Sequence, residues 1–208
     1  DGPAAVAAAK ADGYRVVAVS DSRGGIHREE GFDVPSLIRT KNETSELQAV
    51  YCEGSVCDLV DADRISNEDL LQLDVELLIP AALESQIHGG NAASIRASTI
   101  VEVANGPVTS LADPILEASG IRVVPDILAN AGGVTVSYFE WAQNRSGQSW
   151  TLDEVHRRLD ETMRTAATAV FDRAEESGMT FRDAAYARAI ESLAEAIAAS
   201  GTSDYFRG

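Results

Sequence analysis

The sequence predicts an α/β fold in which helices cover both faces of a parallel sheet and further helices follow at the carboxyl end. Up to residue 124, helical segments alternate with short apolar runs rich in Val and Ile, which are typical of buried parallel strands. From Gly132 onward the pattern is helical throughout. Because strands joined through helices make right-handed crossovers, the strands are expected to lie parallel in the middle of three layers.

Each predicted element rests on a local signal. Pro3 suits the first turn of a helix that Gly13 can end, and Ser66 offers an N-cap to another helix. Pro80 and Pro125 stop two of the apolar runs. In chain order we predict helix 3–10, strand 15–20, turn 21–25, helix 34–41, an ambiguous stretch of short helix, loop and strand at 42–65, helix 66–71, strand 75–79, helix 91–96, strand 98–103, helix 110–119, strand 121–124, and helices 132–143, 152–176 and 181–199.

Charge limits the classes of partner. The chain of 208 residues carries 17 Lys and Arg against 33 Asp and Glu, a formal net charge of −16 at pH 7. A surface this acidic repels phosphates, so nucleic acids and anionic membranes are not expected as partners. The acid excess, with Lys10 and Lys41 as the only lysines, predicts a halophilic setting; an acidic mesophilic protein is the alternative. Without an apolar run of about 20 residues or a signal-peptide pattern, the sequence indicates a cytoplasmic protein.

Metal binding is not expected. Cys52 and Cys57 are the only cysteines, and their C-x4-C spacing without a nearby His lacks the ligands of a tetrahedral site. The three histidines are scattered, with no His-x-x-x-His spacing. Because a cytoplasmic compartment is reducing, we predict two free thiols.

Small and amide residues follow the predicted strands. Asp21 follows the first strand, Ala81 and Ala82 the second, Asn105 the third and Asn130 the fourth. In an open parallel sheet, ligands bind beyond the carboxyl ends of the strands. Small residues let a ligand approach the backbone, and amides offer both donors and acceptors. These turns are therefore the predicted binding edge of the sheet.

The start of the chain has the pattern of the second half of a dinucleotide-binding fingerprint. Gly2 opens an Ala-rich helix, and Asp21 ends the next strand 19 residues later. In that motif the helix N-terminus favours the pyrophosphate, and the acid accepts hydrogen bonds from the ribose. The first strand and two glycines would precede Asp1, so we expect a Rossmann-like sheet that lacks its first strand. Asp21 favours NAD slightly, whereas Ser22 and Arg23 could hold the 2′-phosphate of NADP.

Longer motifs resemble the coenzyme-binding domain of glutamate dehydrogenases, within the wider Glu/Leu/Phe/Val dehydrogenase superfamily. The most specific is Asn-Ala-Gly-Gly-Val-Thr-Val-Ser-Tyr-Phe-Glu-Trp at 130–141. The others are the segments at 17–22, 24–26, 79–87, 104–107, 184–186 and 189–191. The resemblance therefore covers nearly the whole chain, with 42–65 the least similar part.

The resemblance implies which residues form the site. The implied cofactor residues are Gly2, Asp21, Ser22, Ala81, Ala82, Asn105 and Asn130. Of these, the two asparagines match residues on the nicotinamide side of the cleft, and the two alanines match the turn along the adenosine. Val134 matches a residue that shapes the substrate pocket, and Ser137 matches a serine that binds the side-chain carboxylate of the substrate. Such a hydroxyl would distinguish glutamate from apolar amino acids.

The reaction implied by the resemblance is the reversible deamination of L-glutamate to 2-oxoglutarate and ammonium with NAD or NADP. The catalytic lysine and aspartate of the family lie in an amino-terminal substrate domain, which we expect to be absent here. The chain alone should therefore contain no catalytic residue and be inactive. Residues 1–145 are predicted to form the NAD(P)-binding domain, and 146–208 a helical segment packed on it. The full-length enzyme is expected to be a homo-oligomer, a hexamer like its relatives.

Two alternatives stay open. A leucine- or valine-type amino-acid dehydrogenase would share the fold, but Ser137 and the segment 139–141 argue against it. A non-catalytic nucleotide-binding module would keep the binding edge without the catalytic domain.

Overall fold

A computed structural model describes the backbone of residues 2–53 and 56–199. Side chains are described in these ranges except at 50–59, so the predicted free thiols of Cys52 and Cys57 lie outside the described side chains. The helices are α1 (Gly2–Ala11), α2 (Val34–Thr44), α3 (Asn67–Leu71), α4 (Asp113–Ala118), α5 (Asp126–Ala129), α6 (Ala131–Ser146), α7 (Leu152–Ser177) and α8 (Phe181–Ala199), with a 3-10 turn at Ala92–Ser94. The strands are β1 (Ala18–Asp21), β2 (Gly24–His27), β3 (Val50–Glu53), β4 (Val56–Leu59), β5 (Asp63–Ile65), β6 (Leu77–Leu78), β7 (Thr99–Val101) and β8 (Arg122–Val124).

The contacts of the chain divide it into two compact units, Asp1–Ile121 and Arg122–Gly208. The amino-terminal unit holds seven of the eight strands named above, and the carboxy-terminal unit holds β8 and helices α5 to α8. Helices and strands are interspersed through the amino-terminal unit, and β6 pairs with β7 in parallel, with Leu77 opposite Thr99. The α/β class predicted from the sequence is confirmed.

The first sheet differs from the expected parallel arrangement, because β1, β2 and β5 pair antiparallel in that order. The predicted turn at 21–25 is shorter than expected: Asp21 pairs with Gly24, so the loop is only Ser22-Arg23. Gly24 has φ +124°, a conformation that side chains disfavour. A Cβ at Gly25 would lie 3.1 Å from the Val19 carbonyl oxygen, so glycine is needed for this close hairpin.

Local side-chain hydrogen bonds explain why one predicted helix forms and why another is shorter than predicted. Ser66 caps α3 by accepting from the Asp69 N–H at 3.0 Å, while Asp69 accepts from the Ser66 N–H at 3.3 Å. These two bonds form a capping box at the N-cap that the sequence predicted. The predicted helix 91–96 is only a 3-10 turn, because the Asn91 side chain accepts from the His88 N–H and donates to the Gln86 carbonyl. Such bonds compete with a helical backbone.

Each unit has its own buried cluster. In the amino-terminal unit the buried members are Ile26, Phe32, Leu37 and Ala49. In the carboxy-terminal unit they are Leu128, Val170, Ala174, Ala184 and Ala185. The second cluster joins α5, α7 and α8, so the short helix α5 is held by the two long ones. Along the described residues, no helix combines the length and apolar character that crossing a bilayer requires.

Candidate functional site

An open groove in the amino-terminal unit gathers most of the predicted cofactor residues. Its volume is about 1230 Å³, and its walls include residues 15–22 around β1 and 73–83 around β6. The predicted residues that line it are Gly2, Asp21, Ser22, Ala81 and Ala82. Pockets for small ligands usually measure about 300–1,000 Å³, so this groove suits an extended ligand.

The start of helix α1 lies at this groove. Gly2, the first residue of α1, lines it, and a Cβ added at Gly2 would meet no atom within 4 Å. The backbone at the helix start is therefore open to a ligand. A helix N-terminus presents unpaired N–H groups and a positive partial charge, which favour an anion such as a pyrophosphate.

Asp21 lies at the carboxyl end of β1 and is held from three sides. Its carboxylate accepts a hydrogen bond from the Lys41 ammonium and another from the Arg23 N–H at 2.8 Å. Its carbonyl accepts from the Asn67 amide at 3.0 Å. The Lys41 hydrogen bond is the main cause that holds the pKa of the Asp21 carboxyl below its usual value, and the Arg23 N–H acts in the same direction. Asp21 is thus an ionised acceptor at neutral pH.

Lys41 is a site residue that the sequence reasoning did not identify. It sits in the last turns of α2, 20 residues after Asp21, and also donates to the Ser45 carbonyl at 3.2 Å. The Arg23 guanidinium reaches the same carbonyl and lies 3.7 Å from Asp21 Oδ2. Lys41 and Arg23 together place two positive charges around one carboxylate. No spacing rule would have indicated this contact, because helix α2 is brought to β1 by tertiary packing.

The turns after β6 and β7 lie side by side. The Pro80 carbonyl accepts from the Val103 N–H at 3.0 Å and from the Ala104 N–H at 2.9 Å. Further along, the Ser85 N–H donates to the Gly106 carbonyl at 2.8 Å. The turn with Ala81 and Ala82 and the turn with Asn105 are therefore neighbours, as predicted, although Asn105 is not among the residues that line the groove.

The remaining predicted residues belong to the carboxy-terminal unit. Asn130 ends α5 and precedes α6, on which Val134 and Ser137 lie three residues apart and so share a face. Val134 is 70% exposed. The Ser137 hydroxyl donates to the Gly133 carbonyl at 3.2 Å, one turn back in the helix. This weak internal bond can be exchanged for one to a ligand.

Among the residues whose side chains the structure describes, 2–49 and 60–199, no group of three or more His, Cys, Asp or Glu could hold a metal ion. The geometry that the chain does offer is a groove with a helix N-terminus, an ionised acid at a strand end and adjacent small-residue turns. This arrangement fits a dinucleotide.

Comparisons with known proteins agree with this geometry. The family model for glutamate/leucine/phenylalanine/valine dehydrogenase matches residues 2–201. An NADP-specific glutamate dehydrogenase of Synechocystis is 53% identical over 196 residues, which cover 94% of this chain and 46% of the relative. The NAD-specific glutamate dehydrogenase A of Halobacterium salinarum is 46% identical over 189 residues, which cover 91% of this chain and 41% of that relative.

Solved structures give the same result. The hetero-hexameric glutamate dehydrogenase of Thermus thermophilus, in a leucine-bound form, matches with a TM-score of 0.79 and 35% identity, covering 94% of this chain and 44% of that one. The chain thus spans less than half the length of the relatives it matches. With the family model matched along almost its whole length, this chain belongs to the glutamate/leucine/phenylalanine/valine dehydrogenase family.

Proposed function

We propose that this chain is the coenzyme-binding part of a glutamate dehydrogenase, which reversibly converts L-glutamate to 2-oxoglutarate and ammonium with NAD or NADP. The groove in the amino-terminal unit is the observation that carries the proposal, because Gly2, Asp21, Ser22, Ala81 and Ala82 all line it. The names of the two relatives support both the substrate and the two cofactors. Residues 1–145 would form the NAD(P)-binding domain, and 146–208 a helical segment packed on it.

The groove also supports a Rossmann-like sheet with one more strand. Among the described strands, β1 and β6 each stand at the end of their sheet, and both line the groove. Unpaired strand edges are ready to accept a further strand. One extended apolar segment between them would join the two sheets into one layer, and the remaining space would hold the dinucleotide.

The residues of the groove fit the parts of a dinucleotide. The N-terminus of α1 would receive the pyrophosphate, Ala81 and Ala82 the adenosine, and Asp21 the adenosine ribose. Asn105 and Asn130 would lie on the nicotinamide side. When bound, the nicotinamide accepts a hydride from the α-carbon of glutamate.

Charge at the ribose end favours the phosphorylated cofactor. Lys41 and Arg23 bring two positive charges to the single negative charge of Asp21. The balance among these three side chains is therefore positive, and they would attract an added 2′-phosphate. We propose that NADP is accepted at least as well as NAD, although Asp21 alone would favour NAD.

On α6, Val134 and Ser137 would form part of the substrate pocket. The Ser137 hydroxyl can donate to the side-chain carboxylate of glutamate, and Val134 would pack against its methylene groups. The polar work on the reacting amine would be done by the lysine and aspartate of a substrate domain. A leucine- or valine-type enzyme is the alternative that Ser137 disfavours.

The setting of the protein is also proposed. The net charge of −16 and the Halobacterium relative support a halophilic, cytoplasmic protein without nucleic acid or membrane partners. The hexameric Thermus relative supports a hexamer for the full gene product.

Initial rates of NAD and NADP reduction test the proposal. The full gene product that contains this chain would be assayed with glutamate, leucine and valine at low and at multimolar salt. Activity with glutamate alone, rising with salt, is expected. Activity with leucine or valine instead would mean that Ser137 has been misassigned, and a folded, inactive protein that still binds nucleotide would favour the non-catalytic module.

A further inference from the structure

Helix α5 is too short to hold its own position. It spans four residues, Asp126–Ala129, and Asn130 follows directly. Isolated helices of this length are unstable in water, because the free-energy cost of nucleating a helix exceeds the stabilisation from the hydrogen bonds of one turn. Asn130 is also the N-cap of α6, so its position depends on the tertiary contacts of α5 on one side and on α6 on the other.

Packing holds the middle of α5. The Leu128 side chain is 6% exposed and belongs to one cluster with Ala184 and Ala185 of α8 and with Val170 and Ala174 of α7. This contact sets the distance of α5 from the long helices. Ile127 of α5 is partly buried and packs against the same cluster.

An ion pair holds the start of α5. Arg182, in the first turn of α8, places Nη1 3.7 Å from Asp126 Oδ1, and the two side chains are 18% and 19% exposed. The same Asp126 oxygen accepts from the Ile127 N–H at 2.8 Å. At the other end of the turn, the Asn130 N–H donates to the Asp126 carbonyl at 3.0 Å. Asp126 is thus tied both to α8 and to Asn130.

We propose that Arg182 is a positioning residue, which fixes Asn130 through Asp126 for the hydride-transfer step. The inference rests on the proposed function, in which Asn130 lies on the nicotinamide side of the cleft. A displaced Asn130 would misalign the nicotinamide with the substrate while leaving most of the binding surface intact. Misplacement by about 1 Å can cost on the order of 100-fold in rate.

The test uses the full gene product with R182Q and R182K, and R188Q as the matched control. Arg188 lies on the same helix and is exposed. Well below the melting temperature, R182Q is expected to lower kcat by about tenfold or more with both KM values changed by less than about threefold. R182K should recover most of kcat, and R188Q should match the wild type. A lower melting temperature with unchanged kcat in R182Q would overturn the proposal.

The double variant R182Q/D126N tests whether the two side chains act through their shared ion pair. D126N should lower kcat like R182Q, and the combination should lose less than the product of the two single losses, because either change removes the ion pair between the two side chains. Losses that multiply would contradict the inference.

Hydrogen exchange separates this inference from the proposed function. If the wild type shows no glutamate-dependent reduction, the proposed function fails, but the exchange of the Asn130 amide still reports on the ion pair. R182Q is expected to exchange that amide at least about tenfold faster than R188Q. Equal exchange in the two variants would refute the role of Arg182 whatever the reaction.

Discussion

Replacing Lys41 by Gln should shift the coenzyme preference from NADP toward NAD. Lys41 contacts the Asp21 carboxylate, which we propose binds the ribose, and its side chain is 32% exposed. Two unit charges about 4 Å apart interact by about 1 kcal/mol at the dielectric constant of water and by about 4 kcal/mol at a dielectric constant of 20. The lower figure applies here, because a third of the side chain is in solvent.

A 2′-phosphate carries between one and two negative charges, so loss of Lys41 should weaken its binding by about 1.5 kcal/mol, or roughly tenfold. NAD lacks this phosphate, and its kcat/KM should change much less. The ratio of kcat/KM for NADP to that for NAD is therefore expected to fall about tenfold in K41Q at low salt.

The assay is coenzyme reduction by the full gene product with saturating glutamate. K10Q is the matched control, because Lys10 is the other lysine, lies exposed in the last turn of α1 and does not line the groove. The effect of K41Q should shrink at multimolar salt, where the Debye length is about 3 Å or less. An unchanged ratio in K41Q, or an equal change in K10Q, would refute the electrostatic reasoning.

Three further predictions concern the core, the substrate pocket and pH. Leu128→Ala should lower the free energy of unfolding by about 3 kcal/mol in urea titrations, because Leu128 is 6% exposed, whereas Leu152→Ala, at 68% exposure, should change it by less than about 0.5 kcal/mol. Ser137→Ala should reduce kcat/KM for glutamate by about 10- to 100-fold and leave kcat/KM for leucine unchanged. Ser146→Ala removes a similar internal hydrogen bond on α6 and should change kcat/KM for neither substrate. Because the pKa of Asp21 is lowered in the folded state, its ionised form stabilises the fold above the unfolded pKa of about 3.9, and this contribution is lost as pH falls through the folded pKa. Asp21→Asn should therefore destabilise the protein more at pH 7 than at pH 2; equal destabilisation at both values would contradict the assignment.

Elements with strong local signals were predicted closely. Helix α8 has the predicted bounds, and α3 begins after Ser66, where its capping box lies. Helix α5 was missed, because its four residues carry no periodic pattern and are held by the buried cluster around Leu128. The β1–β2 hairpin was also missed, since the choice between a turn and a paired strand depends on β5 as the next partner.

The residues of the candidate site were likewise predicted only in part from the sequence. Gly2, Asp21, Ala81 and Ala82 could be named from the sequence, because strand ends and small residues mark a binding edge, and the structure lines one groove with them. The charge at that edge could not be predicted, because Lys41 reaches Asp21 only when α2 packs beside β1.

By itself, the sequence determined the α/β class and the family resemblance, since these depend on local patterns and short motifs, and it named five residues that line one groove. Tertiary structure alone decided that Lys41 reaches Asp21 and that Arg182 faces Asp126. The physical reason is that the energy of a charge pair depends on distance in space, and residues 20 or 56 positions apart become neighbours only through packing.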